Sequence, residues 1–174
     1  LDEVVGDRHV IAWERESQSW PELVRRQPGE LPPLEVDSEH PYLLTYTSGT
    51  TGQPKGVLHV QGGFLVSIAR EVSYQADGHE DDVILFATDM GWIMGPCTVV
   101  GGGALGCRLV FSEGAPDQPP DRFWRLIERH RVNYFSAVPT VYAALLEVPV
   151  AGADVSSLRY ALCGAAPMPP EVFR

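Results

Sequence analysis

Apolar residues recur along the chain in two patterns that predict different elements. Short continuous runs, each bounded by polar or turn-forming residues, read as buried strands: Tyr42-Leu43-Leu44-Thr45-Tyr46, Val83 to Ala87, Arg108 to Phe111, Val132 to Ser136 and Leu158 to Cys163. Between them lie stretches with helical spacing. Gln61 to Tyr74 places Phe64, Leu65, Ile68 and Val72 on one face, and Asp121 to His130 turns Phe123, Trp124 and Ile127 inward behind the lead-in Pro119-Pro120. Pro139 to Glu147 reads as a short helix. Upstream, Arg8 to Trp13 predicts a strand and Trp20 to Gln27 a helix stopped by Pro28-Gly29. Residues 29–41 are rich in proline and acids and read as a surface connector, so 1–40 is expected to be an upstream strand, helix and connector, and 41–174 the main unit. Strands alternating with helices predict an α/β fold, a layered and mostly parallel sheet with helices on both faces.

Composition adds limits to this picture. The run from Trp92 to Phe111 approaches membrane-spanning length, but its glycines, Pro96 and Arg108 predict a buried helix, a glycine turn and a buried strand instead. A formal net charge of −10 sets the summed field against nucleic acid. Cys97, Cys107 and Cys163 have spacings that fit neither a zinc site nor a disulfide framework, and they read as small buried hydrophobes of a reducing, cytoplasmic setting. No basic segment opens a secretory signal. The start at Leu1 and the helix-like start Pro169-Pro170-Glu171 at the other end are expected to be cut ends of something larger.

The chemistry concentrates in Tyr46-Thr47-Ser48-Gly49-Thr50-Thr51-Gly52-Gln53-Pro54-Lys55-Gly56. Glycines let successive N–H groups converge on one anion, the hydroxyls add donors, and Lys55 adds a compact positive charge. A Walker loop is excluded, because it needs Gly-Lys followed by Ser or Thr, and here Pro54 precedes Lys55 and Gly56 follows it. The preceding apolar run and the following amphipathic stretch predict strand, glycine loop and helix in that order. The eleven residues resemble the signature of the adenylate-forming (AMP-binding) enzymes, which include acyl-CoA synthetases, luciferases and peptide-synthetase adenylation domains.

The likeness extends downstream. Lys55 to Leu65 with Gly62-Gly63-Phe64, Thr88-Asp89-Met90-Gly91-Trp92-Ile93-Met94-Gly95, and Leu158 to Met168 are similar, in that order, to segments of acetyl-CoA synthetase and its short- and medium-chain relatives. The resemblance implies that Thr47, Ser48, Gly49, Thr50, Thr51, Gly52, Lys55 and Gly56 hold the phosphates of MgATP, with Lys55 and Thr47 acting on the leaving pyrophosphate. It implies that Gly164, Ala165, Ala166 and Pro167 line the adenine. Trp92, Ile93 and Met94 have two readings, as core residues after a buried strand or, by the resemblance, as the wall of the acyl pocket. Acetyl-type relatives carry Gly-Glu-Pro where this chain has Ala165-Ala166-Pro167, which argues against acetate. His40, His59, His79 and His130 read as surface or core residues rather than catalysts, and Asp89 as structural.

The implied reaction activates a small-molecule carboxylic acid with ATP and Mg²⁺ and passes the acyl group to CoA. The family's Tyr-Gly-x-Thr-Glu segment, hinge and C-terminal lysine are not in this stretch, so 1–174 is expected to be part of the large N-terminal domain, inactive as a ligase without the missing C-terminal domain. Two alternatives remain at this point: an aryl- or amino-acid-activating enzyme with a carrier-protein acceptor, and a non-catalytic nucleotide-binding fragment.

Overall fold

The computed structural model describes residues 24–27, 29–30, 32–47, 52–114, 118–150, 152–170 and 172. Two units are present, Leu1–Val36 and Asp37–Arg174. In the first, residues 24–25 are helical and the described stretch 32–36 carries neither helix nor strand. The expected strand at 8–13 and the start of the expected helix at 20–27 lie outside the described residues, as do Ser48, Gly49, Thr50 and Thr51.

The second unit opens with an antiparallel hairpin of β1 (Pro41–Thr47) and β2 (Lys55–Val60), in which Tyr46 faces Gly56 and Thr47 faces Lys55. This corrects the expected order of strand, glycine loop and helix: a second strand intervenes. Lys55 to Val60 carries β-branched Val57 and Val60 at strand-favouring positions directly after Pro54, which cannot continue a helix from the loop. The run Tyr42 to Tyr46 is not buried either. Leu44 is 54% and Tyr46 66% exposed, because β1 pairs with β2 and not with the parallel sheet. The hairpin rests on Phe64, whose ring lies 5.1 Å from that of Tyr42 and 5.2 Å from that of His59.

Phe64 belongs to α1 (Gln61–Arg70), which continues as a π-helical turn over Glu71–Gln75. Phe64 is buried and Ile68 and Val72 face a cavity, whereas Leu65, expected on the same face, is 48% exposed. Residue 65 is one helical step of about 100° away from 64, which carries it past the edge of the buried stripe.

Four parallel strands follow, β3 (Val83–Phe86), β4 (Arg108–Val110), β5 (Tyr134–Ala137) and β6 (Tyr160–Cys163), in the spatial order β4-β3-β5-β6. The helices between them are α2 (Met94–Leu105), α3 (Arg122–His130) and α4 (Pro139–Leu146). Pro96 falls in the first turn of α2, where no intrahelical N–H bond is lost. The expected buried strand at 108–111 is instead an edge strand, with Arg108 exposed and Phe111 63% exposed.

Period-two alternation divides the core between the two faces of the sheet. Val83 and Leu85 of β3 and Phe135 and Ala137 of β5 meet Phe123 and Ile127 of α3 and Leu145 of α4. The rings of Phe123 and Phe135 stand 5.3 Å apart. Burying each such large side chain contributes about 1.5–3 kcal/mol. Ile84, Phe86 and Tyr134 point to the other face, toward α2 and α1. Helices therefore cover both faces, as the alternating pattern predicts.

The amino ends of the strands are tied by polar contacts. Asn133 accepts from the Val83 N–H at 2.8 Å and donates to the Ser157 carbonyl at 3.3 Å. Buried Asp82 receives the Arg159 guanidinium at 3.0 Å and the His79 N–H at 2.9 Å. Tyr160 donates its hydroxyl to Asp77 at 2.8 Å, which lowers the Asp77 carboxyl pKa and raises that of the phenol.

Candidate active site

At the opposite, carboxyl ends of the four strands the connecting loops enclose a cavity of about 710 Å³. Ligands in open α/β sheets sit in this position, where loops diverge and backbone groups are left unpaired. Each strand contributes. The segment from Phe86 to Asp89, with Trp92 and Met94, comes from β3 and its loop; Ser112, Glu113 and Gly114 follow β4. Ala137, Val138 and Thr140 continue β5, and Leu162, Gly164 and Ala165 end β6.

The loop after β3 owes its shape to the residues of its motif. The Gly91 N–H donates to Asp89 Oδ1 at 2.6 Å and the Trp92 N–H to the Asp89 carbonyl at 3.1 Å, a side-chain-stabilised turn. Gly95 lies so close to this turn that a Cβ there would stand 2.7 Å from Met90 Cα. Asp89 is thus an architectural residue, as expected from the sequence. Trp92 is left 71% exposed at the cavity, Met94 opens α2 at its wall, and Ile93 between them does not line it.

The turn after β6 is held from behind. The Leu162 carbonyl accepts from the Tyr142 hydroxyl at 2.9 Å and from the buried Ser136 hydroxyl at 3.2 Å. Burial raises the Tyr142 pKa, and the neighbouring Cys163 and Tyr134 would raise it further if charged, so the phenol stays a donor. Three residues after Leu162, Ala165 takes a left-handed backbone conformation with φ 71°. The small side chains of Gly164 and Ala165 leave this rim of the cavity as backbone.

The structure therefore brings Trp92, Met94, Gly164 and Ala165 to one cavity. Ile93, Ala166 and Pro167 adjoin it without lining it. Thr47 and Lys55 face each other at the loop end of the hairpin and, with Gly52 and Gly56, are exposed and outside the cavity wall. Sequence reasoning missed Ser112, Glu113, Val138 and Thr140 as wall residues, and Tyr142 and Ser136 as supports. The available signal was position, since each follows or backs the carboxyl end of a predicted parallel strand. Among the described residues no group of three or more His, Cys, Asp or Glu side chains is arranged to hold a metal.

Comparison with known proteins agrees with this geometry. The family model described as AMP-binding enzyme matches residues 2–174. The chain belongs to the AMP-binding enzyme family. An acetyl-coenzyme A synthetase 2 from Eremothecium gossypii is 39% identical over 159 residues, covering 88% of this chain and 23% of that protein. An acetyl-coenzyme A synthetase from Nitrosomonas europaea is 37% identical over 179 residues, covering 98% of this chain and 27% of its own length. Among solved structures, the acetoacetyl-CoA synthetase from Streptomyces lividans superposes with a TM-score of 0.80 at 28% identity, over 92% of this chain and 26% of that one. This AMP-binding chain thus spans about a quarter of the length of the curated relatives it matches. No helix among its described residues is long and apolar enough to cross a membrane.

Proposed function

We propose that this chain is part of an ATP-dependent carboxylic acid:CoA ligase that forms an acyl-adenylate and then an acyl-CoA, acting in the cytoplasm. The observation that carries the reading is the convergence of the Asp89–Gly95 turn and the Gly164–Ala165 turn on one cavity, in a chain whose whole length matches the AMP-binding family.

In the adenylation step a carboxylate oxygen attacks the α-phosphorus of ATP, the bond to the β-phosphate breaks, and pyrophosphate leaves. The thiolate of CoA then attacks the acyl carbon and AMP departs. Both steps join anions, so catalysis depends on positioning and on neutralising charge. Thr47 and Lys55, opposite each other on the hairpin, together with Ser48, Gly49, Thr50, Thr51, Gly52 and Gly56, are assigned to the β- and γ-phosphates. Lys55 and Thr47 are the members that stabilise the leaving group. Exposed Gly164 and Ala165, with Ala166 and Pro167 beyond them, offer the backbone surface that suits a flat adenine ring. Trp92, Ile93 and Met94 are assigned to the acyl side. Mg²⁺ supplies further charge neutralisation when bound with ATP; the acid, ATP, CoA and the C-terminal domain of the same enzyme are the partners.

The deciding experiment is acid-dependent exchange of labelled pyrophosphate into ATP by the full-length protein, followed by transfer to CoA. Exchange with aliphatic acids and acyl-CoA formation are the expected results. Exchange followed by transfer to a carrier protein in place of CoA would move the protein to another branch of the family, and absence of exchange with any carboxylic acid would refute the assignment. The isolated 174-residue chain is expected to form no acyl-CoA, checked by chromatography of the thioester product.

A further inference from the structure

The two turns that meet at the large cavity keep their shape by different means. The loop after β3 braces itself, through the Asp89 carboxylate and the Gly91 N–H at 2.6 Å. The turn after β6 has no such brace. Gly164, Ala165 and Ala166 carry no polar side chain, and among the described residues no hydrogen bond ties their backbone to the rest of the chain. Ala165 at φ 71° also holds a conformation that a residue with a Cβ does not favour. The shape of this turn therefore depends on how β6 delivers it.

That delivery is fixed at Leu162, two residues before Gly164. The register sets Ser136 beside Leu162 and Ala137 beside Cys163, where both strands end. The Leu162 carbonyl accepts two hydroxyls, from Tyr142 at 2.9 Å and from Ser136 at 3.2 Å, so both of its lone pairs are used. The two donors come from opposite faces of the sheet. Phe135 and Ala137 turn toward the face where Tyr142 packs, and Ser136 between them turns to the other. A carbonyl held from both sides cannot tilt toward either face without losing a bond, and the peptide plane it fixes directs the residues that follow.

Tyr142 is itself set by its helix. β5 ends at Ala137 and α4 begins at Pro139, with Val138 alone between them. This short helix gives Thr140 and Val141 to the cavity wall and Tyr142 to the β6 carbonyl. The Tyr142 ring stands edge-on to Phe135 with centroids 5.6 Å apart, and its hydroxyl also lies 3.2 Å from the Phe135 carbonyl. Ring packing thus aims the hydroxyl, and one helix holds wall and turn in a constant relation.

We propose that Tyr142 is a positioning residue for the nucleotide base: through the Leu162 carbonyl it sets the Gly164–Ala165 turn against which adenine is recognised, with Ser136 as the weaker support from the other face. The inference rests on the ligase reading, in which that turn receives adenine, and adds to it the residues that decide how well it does so. Neither hydroxyl touches the reacting atoms. They act by holding the turn in its binding shape before the base arrives, which spares the cost of ordering it on binding. Loss of the stronger bond is expected to weaken recognition of the base about tenfold. Contacts to the phosphates, assigned to the hairpin, stay as they are.

Two variants of the full-length protein test this, with AMP and tripolyphosphate as ligands in calorimetry; AMP carries the base and tripolyphosphate does not. Tyr142→Phe removes the hydroxyl and keeps the ring against Phe135. It is expected to weaken AMP binding about tenfold and leave tripolyphosphate unchanged. In steady-state turnover the KM for ATP should rise by the same factor, with the KM for the acid unmoved. Ser136→Ala should move AMP in the same direction by a smaller factor. AMP binding that is undetectable in the unsubstituted protein, or unchanged in both variants, overturns the inference. Equal weakening of AMP and tripolyphosphate with a lowered melting temperature overturns it too, since a merely structural hydroxyl would do that. These results leave the ligase reading standing wherever acid-dependent pyrophosphate exchange persists. Selective loss of AMP binding in a protein that exchanges pyrophosphate with no carboxylic acid does the reverse, supporting the role of Tyr142 and refuting the ligase.

Discussion

Ala165 sits at φ 71° on the turn that closes β6, a conformation in which a Cβ crowds the following carbonyl and costs about 1–2 kcal/mol relative to glycine. Ala165→Gly relieves that cost but adds conformational freedom to the unfolded chain worth about 0.4–1 kcal/mol. The net expectation is a small stabilisation of up to about 1 kcal/mol, read by urea denaturation; a loss of stability would mean that the methyl group packs against something more valuable than the strain it causes. Lys55 poses a chemical question at the same scale. It stands exposed across from Thr47, and a charge assigned to a leaving group matters most as that group departs. In the full-length protein Lys55→Ala is expected to slow pyrophosphate exchange by about 10²–10³-fold, the scale of losing one preorganised charge-stabilising group. Acid affinity should change little, and an unchanged exchange rate would remove Lys55 from the mechanism. These residues were legible early because glycines, hydroxyls and one lysine in a fixed pattern have few other uses. Tyr142 and Ser136 were not, because a hydroxyl that bonds the Leu162 carbonyl is identical in sequence to one that meets water.

The helix α2 holds its close contacts by glycine, and its glycines are not equivalent. Gly101 is pressed against Val72 and Ile68, whereas a Cβ on Gly103 would meet nothing within 4 Å. Gly101→Ala is expected to destabilise the fold by about 1–3 kcal/mol through overpacking, while Gly103→Ala stabilises it by about 0.5–1 kcal/mol through helix propensity alone. Thermal melts of the two variants side by side distinguish these effects; equal shifts would mean that α2 can move away from α1. The parallel strands at 83–86 and 134–137 were readable because strands covered on both faces become continuous apolar runs. The hairpin strand Lys55–Val60 was missed, since Lys55, Gly56 and His59 interrupt its apolar positions and half of its pattern is decided by pairing with β1. The run at 42–46 was misjudged for the related reason that apolar composition does not say which neighbour covers it.

Across the second unit, the two faces of the sheet carry a buried Tyr134 and a half-buried Tyr142, and that placement is testable by pH. Burial pushes the Tyr134 phenol up to about 12 from an ordinary value of 10.0 and raises Tyr142 as well. A group whose pKa is raised on folding adds stability that is intact below its unfolded value and is lost as pH climbs toward the folded one. Stability is therefore expected to decline between about pH 10 and 12, and phenolate absorbance should show Tyr134 and Tyr142 ionising only as the fold opens. Tyr134→Phe is expected to flatten that decline; a titration in which every tyrosine ionises near 10 without unfolding would contradict the burial. By itself the sequence determined the α/β class, the order of strands and helices after residue 80, the turn at Asp89 to Gly95, and the family, because these depend on local periodicity and on residue types fixed at short spacing. Tertiary structure alone decided that β1 pairs into a hairpin, that Trp92 and Met94 meet Gly164 and Ala165 across about seventy residues of chain, and that a cavity remains beside Cys97 and Thr98. Those facts arise from which surfaces approach and how closely, and the strand order β4-β3-β5-β6 that sets the approach depends on pairings between distant segments that no local pattern encodes.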